Sequence, residues 1–351
     1  MACSSTARRR FAALGAAALV TACAAQPLED ASHPPPPVLL TTVEAAGIRD
    51  LRAEYRAAVC GRLPDEGACE RTLLRLAGER PPATRAPPAH LPSRYRIAFV
   101  PGFFSECFDR LARPFIDVER ALREEGFAVD YLQVSGRGTA AANALRLEAH
   151  FTAPDNDPRP IILVAYSKGL VDALEMLVRQ PAVARRIAAV VSVAGAANGS
   201  PLADHLQAVY RDWAAAFPLP GCNAGTGEEI RDLRRDVRLE WWRRHRDEIT
   251  VPVFALVASP LPDRVSPAMR ASHARLAPID PRNDGKLTSH DQLVPGGYLL
   301  GYANADHWAI AIPVAAELPG FAFLFRDGVP RAALVRAAID VVAITLEART
   351  Q

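Results

Sequence analysis

The chain predicts a mixed α/β domain built on a mostly parallel sheet, and three observations carry that expectation. Apolar runs of strand length, such as residues 161–165, are followed by helical spacing, as in Leu170, Val171, Leu174 and Leu177. The runs are continuous rather than alternating, as strands buried on both faces require. This order of strand and helix recurs across residues 93–351, a span that suits one α/β domain with a substantial core.

From the amino terminus, residues 1–22 have three arginines at positions 8–10, then about ten apolar or small residues, the layout of an export signal. The stretch is too short to span a bilayer. Val20-Thr21-Ala22-Cys23 resembles the lipobox of bacterial lipoproteins, which implies cleavage before Cys23 and lipid on that residue. Arg8-Arg9-Arg10-Phe11 resembles a twin-arginine signal, and a plain secretory signal with an incidental cysteine is the alternative. Several acyl chains on one residue would hold the protein on a membrane of the bacterial cell envelope, facing the periplasm or in the outer membrane. Removing residues 1–22 takes away three arginines and no acids, so the formal charge moves from +2 to −1. Nucleic-acid binding thereby loses its electrostatic basis.

Residues 23–40 include four consecutive prolines and read as an extended tether. Residues 41–79 read as two helices around a turn between Cys60 and Cys69, an accessory segment, and residues 80–92 as a proline-rich linker. Of six cysteines, Cys3 lies in the signal and Cys23 would carry lipid, leaving Cys60, Cys69, Cys107 and Cys222 as disulfide candidates in an exported chain. Local closure pairs Cys60 with Cys69 and leaves Cys107 for Cys222. No pair has C-x-x-C spacing and no histidine stands at ligand spacing from a cysteine, so no metal site is expected.

Within residues 93–351, strands are predicted near 95–100, 127–134, 161–166, 187–194, 251–258 and 297–303. Helices are predicted near 108–125, 139–151, 168–179 and 330–347. Residues 196–250 form a long insertion after the fourth of these strands. Thr226 and Glu229 make a capping-box start for a helix with Ile230, Leu233, Val237 and Trp241 on one stripe and Trp242 beside it. The stripe is either a lid that meets an acyl chain or a face packed on the body.

Ser167 sits where an abrupt strand end meets a helix, between the small residues Ala165 and Gly169, as in a nucleophile elbow. Its plain alternative is a helix-capping serine. A serine hydroxyl is a poor nucleophile at neutral pH and needs a base, and the base needs a carboxylate to orient it. His307 lies on a polar interruption between two apolar runs, after the last predicted strand, and is the candidate base; His290 is a lesser one. Asp284, in the turn Asn283-Asp284-Gly285, is the favoured acid, and Asp291 is the alternative.

The order Ser167, Asp284, His307 resembles that of bacterial lipases and esterases of the α/β-hydrolase fold. The resemblance covers most of residues 94–312 through RIAFVPGFF, AYSKG, VVSVAGAANGSPLAD, NDGKLTSHDQLVPG and DHWAIAI. Pro101-Gly102 stands where many lipases have His-Gly, and Ala165 replaces the first glycine of the elbow. The resemblance implies an α/β-hydrolase sheet flanked by helices, with the insertion over the site. It also assigns the oxyanion to the backbone N–H groups of Phe103 and Lys168. Lys168 is one of only two lysines among forty-one basic residues, and its side chain reads as solvated. The implied activity is cleavage of carboxylic esters of lipid or other apolar acyl groups through an acyl-enzyme, without cofactor. An acyltransferase would use the same residues, and a non-catalytic envelope binding protein would keep only the fold. Oligomeric state is not legible.

Overall fold

A computed structural model describes residues 47–76, 78–83, 86–108, 113–154, 157–210 and 223–350. The expected signal, Cys23, the tether and Cys222 lie outside the described residues. Eight strands form one sheet: β1 (Arg49–Asp50), β2 (Leu73–Leu74), β3 (Arg96–Val100), β4 (Val129–Tyr131), β5 (Ile161–Tyr166), β6 (Ile187–Val193), β7 (Val253–Ala258) and β8 (Tyr298–Ala303). Their order is β4-β3-β5-β6-β7-β8-β1, parallel throughout, with β2 added antiparallel to β8. This is the mostly parallel, helix-flanked sheet that the sequence implied.

The continuous apolar runs have a direct cause, because alternate residues of each strand enter different cores. Ile97, Phe99, Ile162, Val164, Val191 and Phe254 pack beneath helices α1 (Arg52–Cys60), α3 (Ile116–Glu124) and α9 (Arg331–Thr350). Ala98, Val100, Leu163, Ala165, Val190 and Ala255 pack on the other face against α4 (Ala140–Thr152) and α5 (Lys168–Arg179). A strand buried on both faces has no position left for a polar residue.

Three local expectations are corrected. Of the helix predicted over 108–125, residues 109–112 lie outside the described residues and the described helix beyond them is Ile116–Glu124, because Pro114 disfavours helix at the residue before it and Phe115 turns to φ +61°. The Phe115 N–H instead donates to the Ala311 carbonyl at 2.7 Å. The strand predicted over 127–134 is only Val129–Tyr131. Residues 47–79 supply α1 and α2 (Glu66–Thr72), joined by a Cys60–Cys69 disulfide, and in addition β1 and β2 on the free edge of β8. Such two-residue strands carry no apolar period to read.

The insertion over 196–250 begins with α6 (Pro201–Val209). The single helix expected after Thr226 is two, α7 (Glu228–Arg231) and α8 (Arg235–His245). The break is imposed from outside the helix: Ser200 N–H takes the Leu233 carbonyl at 2.8 Å, and Gly199 lies so close to residues 233–235 that an added Cβ would sit 2.8 Å from their backbone. Glu229 does reach back to the Thr226 N–H at 3.1 Å, half of the predicted capping box. Trp242 is buried in the body's core and donates to the Ala197 carbonyl at 2.8 Å. That part of the stripe is packed on the body, whereas Ile230 and Leu233 face the loop that carries Phe103 and Phe104.

Candidate active site

The elbow comes from close packing at one strand end. Ser167 has φ +54° and ψ −123°, a backbone conformation that costs a non-glycine residue of order 1–3 kcal/mol. Gly169 permits it, since a Cβ there would lie 2.4 Å from the Val100 carbonyl oxygen and 2.5 Å from that of Pro101. With no side chain in the way, α5 passes directly over the end of β3. Gly102 is equally constrained, because a Cβ would meet that of Ser167 at 2.8 Å. The loop after β3 is thereby held against the serine.

His307 lies after β8 and reaches the serine across the sheet end: its Nε2 is 2.9 Å from Ser167 Oγ. Its Nδ1 is 2.7 Å from Asp284 Oδ2, and its backbone N–H donates to the Asp284 carbonyl at 2.9 Å. A carboxylate only accepts, so the ring proton sits on Nδ1 and Nε2 is left to accept from the serine hydroxyl. Asp284 is fully buried, and its other oxygen accepts from the N–H groups of Lys286 and Leu287 at 2.8 and 2.7 Å. That Asx turn fixes the carboxylate without a cation. Asp291, the alternative acid, is brought elsewhere: it accepts two 3.0 Å bonds from Arg235 and one from Thr288 at 2.6 Å. His290 pairs with Asp280 at 2.7 Å.

Two further residues hold the histidine: Tyr166, which sequence reasoning did not single out, and Asp306, which it read as loop structure. Tyr166, the residue before the serine, donates its hydroxyl to the His307 carbonyl at 2.7 Å, and its ring lies 5.2 Å from the imidazole. The adjacency was visible in the sequence, but not the direction of the side chain. Asp306, next to the histidine, accepts from Ser266, Trp308 and Ala309 N–H groups and so shapes the loop.

The backbone N–H groups of Phe103 and Lys168 donate to nothing among the described residues. Lys168 directly follows Ser167, and Phe103 follows Gly102, whose backbone lies against the serine. Phe104 is held at φ +61° by the Gly136 carbonyl, which accepts its N–H at 2.9 Å. Phe103, Phe104 and Tyr210 form an aromatic group with centroid separations of 4.2, 5.8 and 6.3 Å, backed by Ile230 and Leu233 of the insertion. Cys107, just beyond this loop, is disulfide-bonded, while its expected partner Cys222 lies outside the described residues. No three His, Cys, Asp or Glu side chains gather to hold a metal among the described residues.

The expectation that the Lys168 side chain is solvated is corrected. Its ammonium is buried and lies 2.5 Å from Asp172, one helical turn on, which also accepts from Asn143 at 2.8 Å. Desolvation raises the Asp172 carboxyl to about 6, despite the opposing pull of Lys168 and Asn143. A folded value above the ordinary 3.8 means that the folded chain holds the proton more tightly over that interval. Its contribution to stability is therefore full below about pH 4 and is lost as pH rises through about 6. Urea midpoints between pH 4 and 7 should show this limb in the wild type and lose it in Asp172→Asn. A limb that persists in the variant would place its origin elsewhere.

The chain is similar over its length to a metagenomic carboxyl esterase, MGS0156, whose crystal structure superposes with a TM-score of 0.81 at 33% identity, covering 88% of this chain and 97% of that one. The lipase BlEst2 of Bacillus licheniformis matches in its mature form with a TM-score of 0.51 at 21% identity, over 66% of this chain and 91% of that one. Its propeptide form gives 0.53 at 17% identity, over 71% and 51%. No protein-family model and no curated protein matches the chain.

Proposed function

The chain belongs to the α/β-hydrolase-fold family of that metagenomic carboxyl esterase, and from this membership we propose that it hydrolyses carboxylic esters with Ser167 as nucleophile. The observation that carries the reading is the hydrogen-bonded line from Ser167 through His307 to Asp284. His307 takes the serine proton as Oγ attacks the carbonyl, and Asp284 holds the imidazolium that forms. The developing oxyanion accepts from the N–H groups of Phe103 and Lys168, preformed dipoles that need no reorganisation in the transition state. His307 then returns the proton to the departing alcohol, and water, deprotonated by the same ring, releases the acid from the acyl-enzyme.

An apolar acyl group suits the site because Phe103 and Phe104, in the loop that Gly102 brings against the serine, are only partly buried and pack on the buried Tyr210. Hydrolysis of 4-nitrophenyl acetate, butanoate and octanoate by the wild type tests the reading. Turnover that rises with acyl length is expected, and failure on all three esters would end it. We also propose that the protein is exported and carried on a bacterial envelope membrane by lipid at Cys23. Cys23→Ser should move it from the membrane to the soluble fraction, and unchanged association would contradict the anchor.

A further inference from the structure

Lysine is rare in this chain, two residues against thirty-nine arginines, and both lysines flank the three hydrogen-bonded residues of the site. Lys168 is paired, as described. Lys286 is not: among the described residues no acceptor lies within hydrogen-bond or ion-pair distance of its ammonium. The carboxylates that attract it electrostatically, Asp284 and Asp306, already spend their oxygens on His307 and on backbone N–H groups. Instead the Lys286 ammonium lies 5.3 Å from the centroid of the Trp308 indole, whose other neighbour is Phe325 at 5.7 Å. The side chain is half-buried, and desolvation holds its ammonium below the ordinary lysine value.

Its backbone is fixed at both ends. The Lys286 N–H donates to Asp284 Oδ1 at 2.8 Å, and its carbonyl accepts from Ser200 Oγ at 2.6 Å. The charge is thus tied to the turn that carries the acid and rests on the residue after His307. In the proposed reaction His307 hands its proton to the departing alcohol, so the alcohol portion leaves on the histidine side. Phe103 and Phe104 belong to a different segment, the loop after β3, whereas Lys286 is bonded to the Asp284 turn that holds His307. A partly desolvated ammonium that rests on an indole face without a hydrogen-bond acceptor is costly to keep, and an incoming anion would supply that acceptor.

We propose that Lys286 binds an anionic group, a carboxylate or a phosphate, on the alcohol portion of the ester substrate. The inference rests on the esterase reading and names the substrate class of that site. It is tested with 4-butanoyloxybenzoate, its uncharged methyl ester and 4-butanoyloxyphenyl phosphate, each with wild type, Lys286→Met and Lys286→Arg. Lys286→Met should lower kcat/KM for an anionic ester relative to the methyl ester about tenfold, mainly through KM, and Lys286→Arg should keep most of the preference. Which anionic ester carries the loss tells a carboxylate from a phosphate. Equal effects of Lys286→Met on all three esters would overturn the proposal.

Calorimetric binding of 4-hydroxybenzoate against methyl 4-hydroxybenzoate reads the same subsite without turnover. If wild type hydrolyses no ester at all, the esterase reading fails, and this measurement still decides the subsite. Preferential binding of the anion by wild type, weakened in Lys286→Met, supports it. Equal binding of charged and uncharged phenols by wild type overturns it even where the methionine variant does not fold.

Discussion

Ser167→Ala is expected to lower kcat for ester hydrolysis by about 10⁶-fold while leaving the fold intact. In the proposed mechanism the oxygen removed is the atom that forms the acyl-enzyme, so no other group on α5 or β5 can take its place. The change is structurally mild, because the hydroxyl's described hydrogen bond is to His307 Nε2 and its loss leaves no carboxylate unpaired. Alanine also tolerates the backbone about as well as serine, and Ala194 already stands at φ +46° nearby. What activity remains should come from the two proposed oxyanion donors and from substrate binding, a residue of about 10³–10⁴ over water in enzymes of this design. Steady-state rates with 4-nitrophenyl butanoate measure it, together with circular dichroism to establish folding. Retention of full activity would remove Ser167 from the mechanism.

Asp284→Asn should reduce kcat by about 10⁴-fold with little loss of structure. The amide oxygen can keep the two bonds from Lys286 and Leu287 that close the turn. The amide nitrogen, however, would donate toward His307 Nδ1, which reverses the tautomer and puts the proton on Nε2. A ring protonated there cannot accept from the serine. Asp291→Asn is the informative control, since that carboxylate faces Arg235 and Thr288 and does not touch His307. Its folded protein should turn over close to the wild-type rate. A larger loss in Asp291→Asn than in Asp284→Asn would exchange the two roles.

The difference between these aspartates also marks how far the sequence could be read. Both follow β7, both precede β8, and they lie seven positions apart, so linear order cannot choose. The choice depends on which one forms an Asx turn against the His307 backbone, a property of the folded loop. Ser167 and His307 stood out for the opposite reason, because Ser167 directly follows, and His307 comes four residues after, a long apolar run whose strand character is unmistakable. The central strands were legible on the same ground, and β1 and β2 were not, since two residues paired at an edge leave no pattern.

Other features are set by contacts between distant segments. The break between α7 and α8 exists because residues 199–200 dock on the Leu233 carbonyl, and nothing within the helix itself predicts it. Lys168 looked solvated because lysine usually is, and its burial depends on Asp172 and on Asn143 from the neighbouring helix α4. Tyr166 was hidden as one more apolar residue of β5, while its hydroxyl holds the histidine loop. In each case residue type was informative and the partner was not.

The central claim is that His307 activates the hydroxyl of Ser167, and covalent trapping tests it most directly. Wild-type protein treated with a fluorophosphonate should gain one adduct in its intact mass, mapping by peptide analysis to Ser167, while His307→Ala should label orders of magnitude more slowly. Absence of an adduct on folded wild-type protein, or its appearance on another residue, would contradict the account.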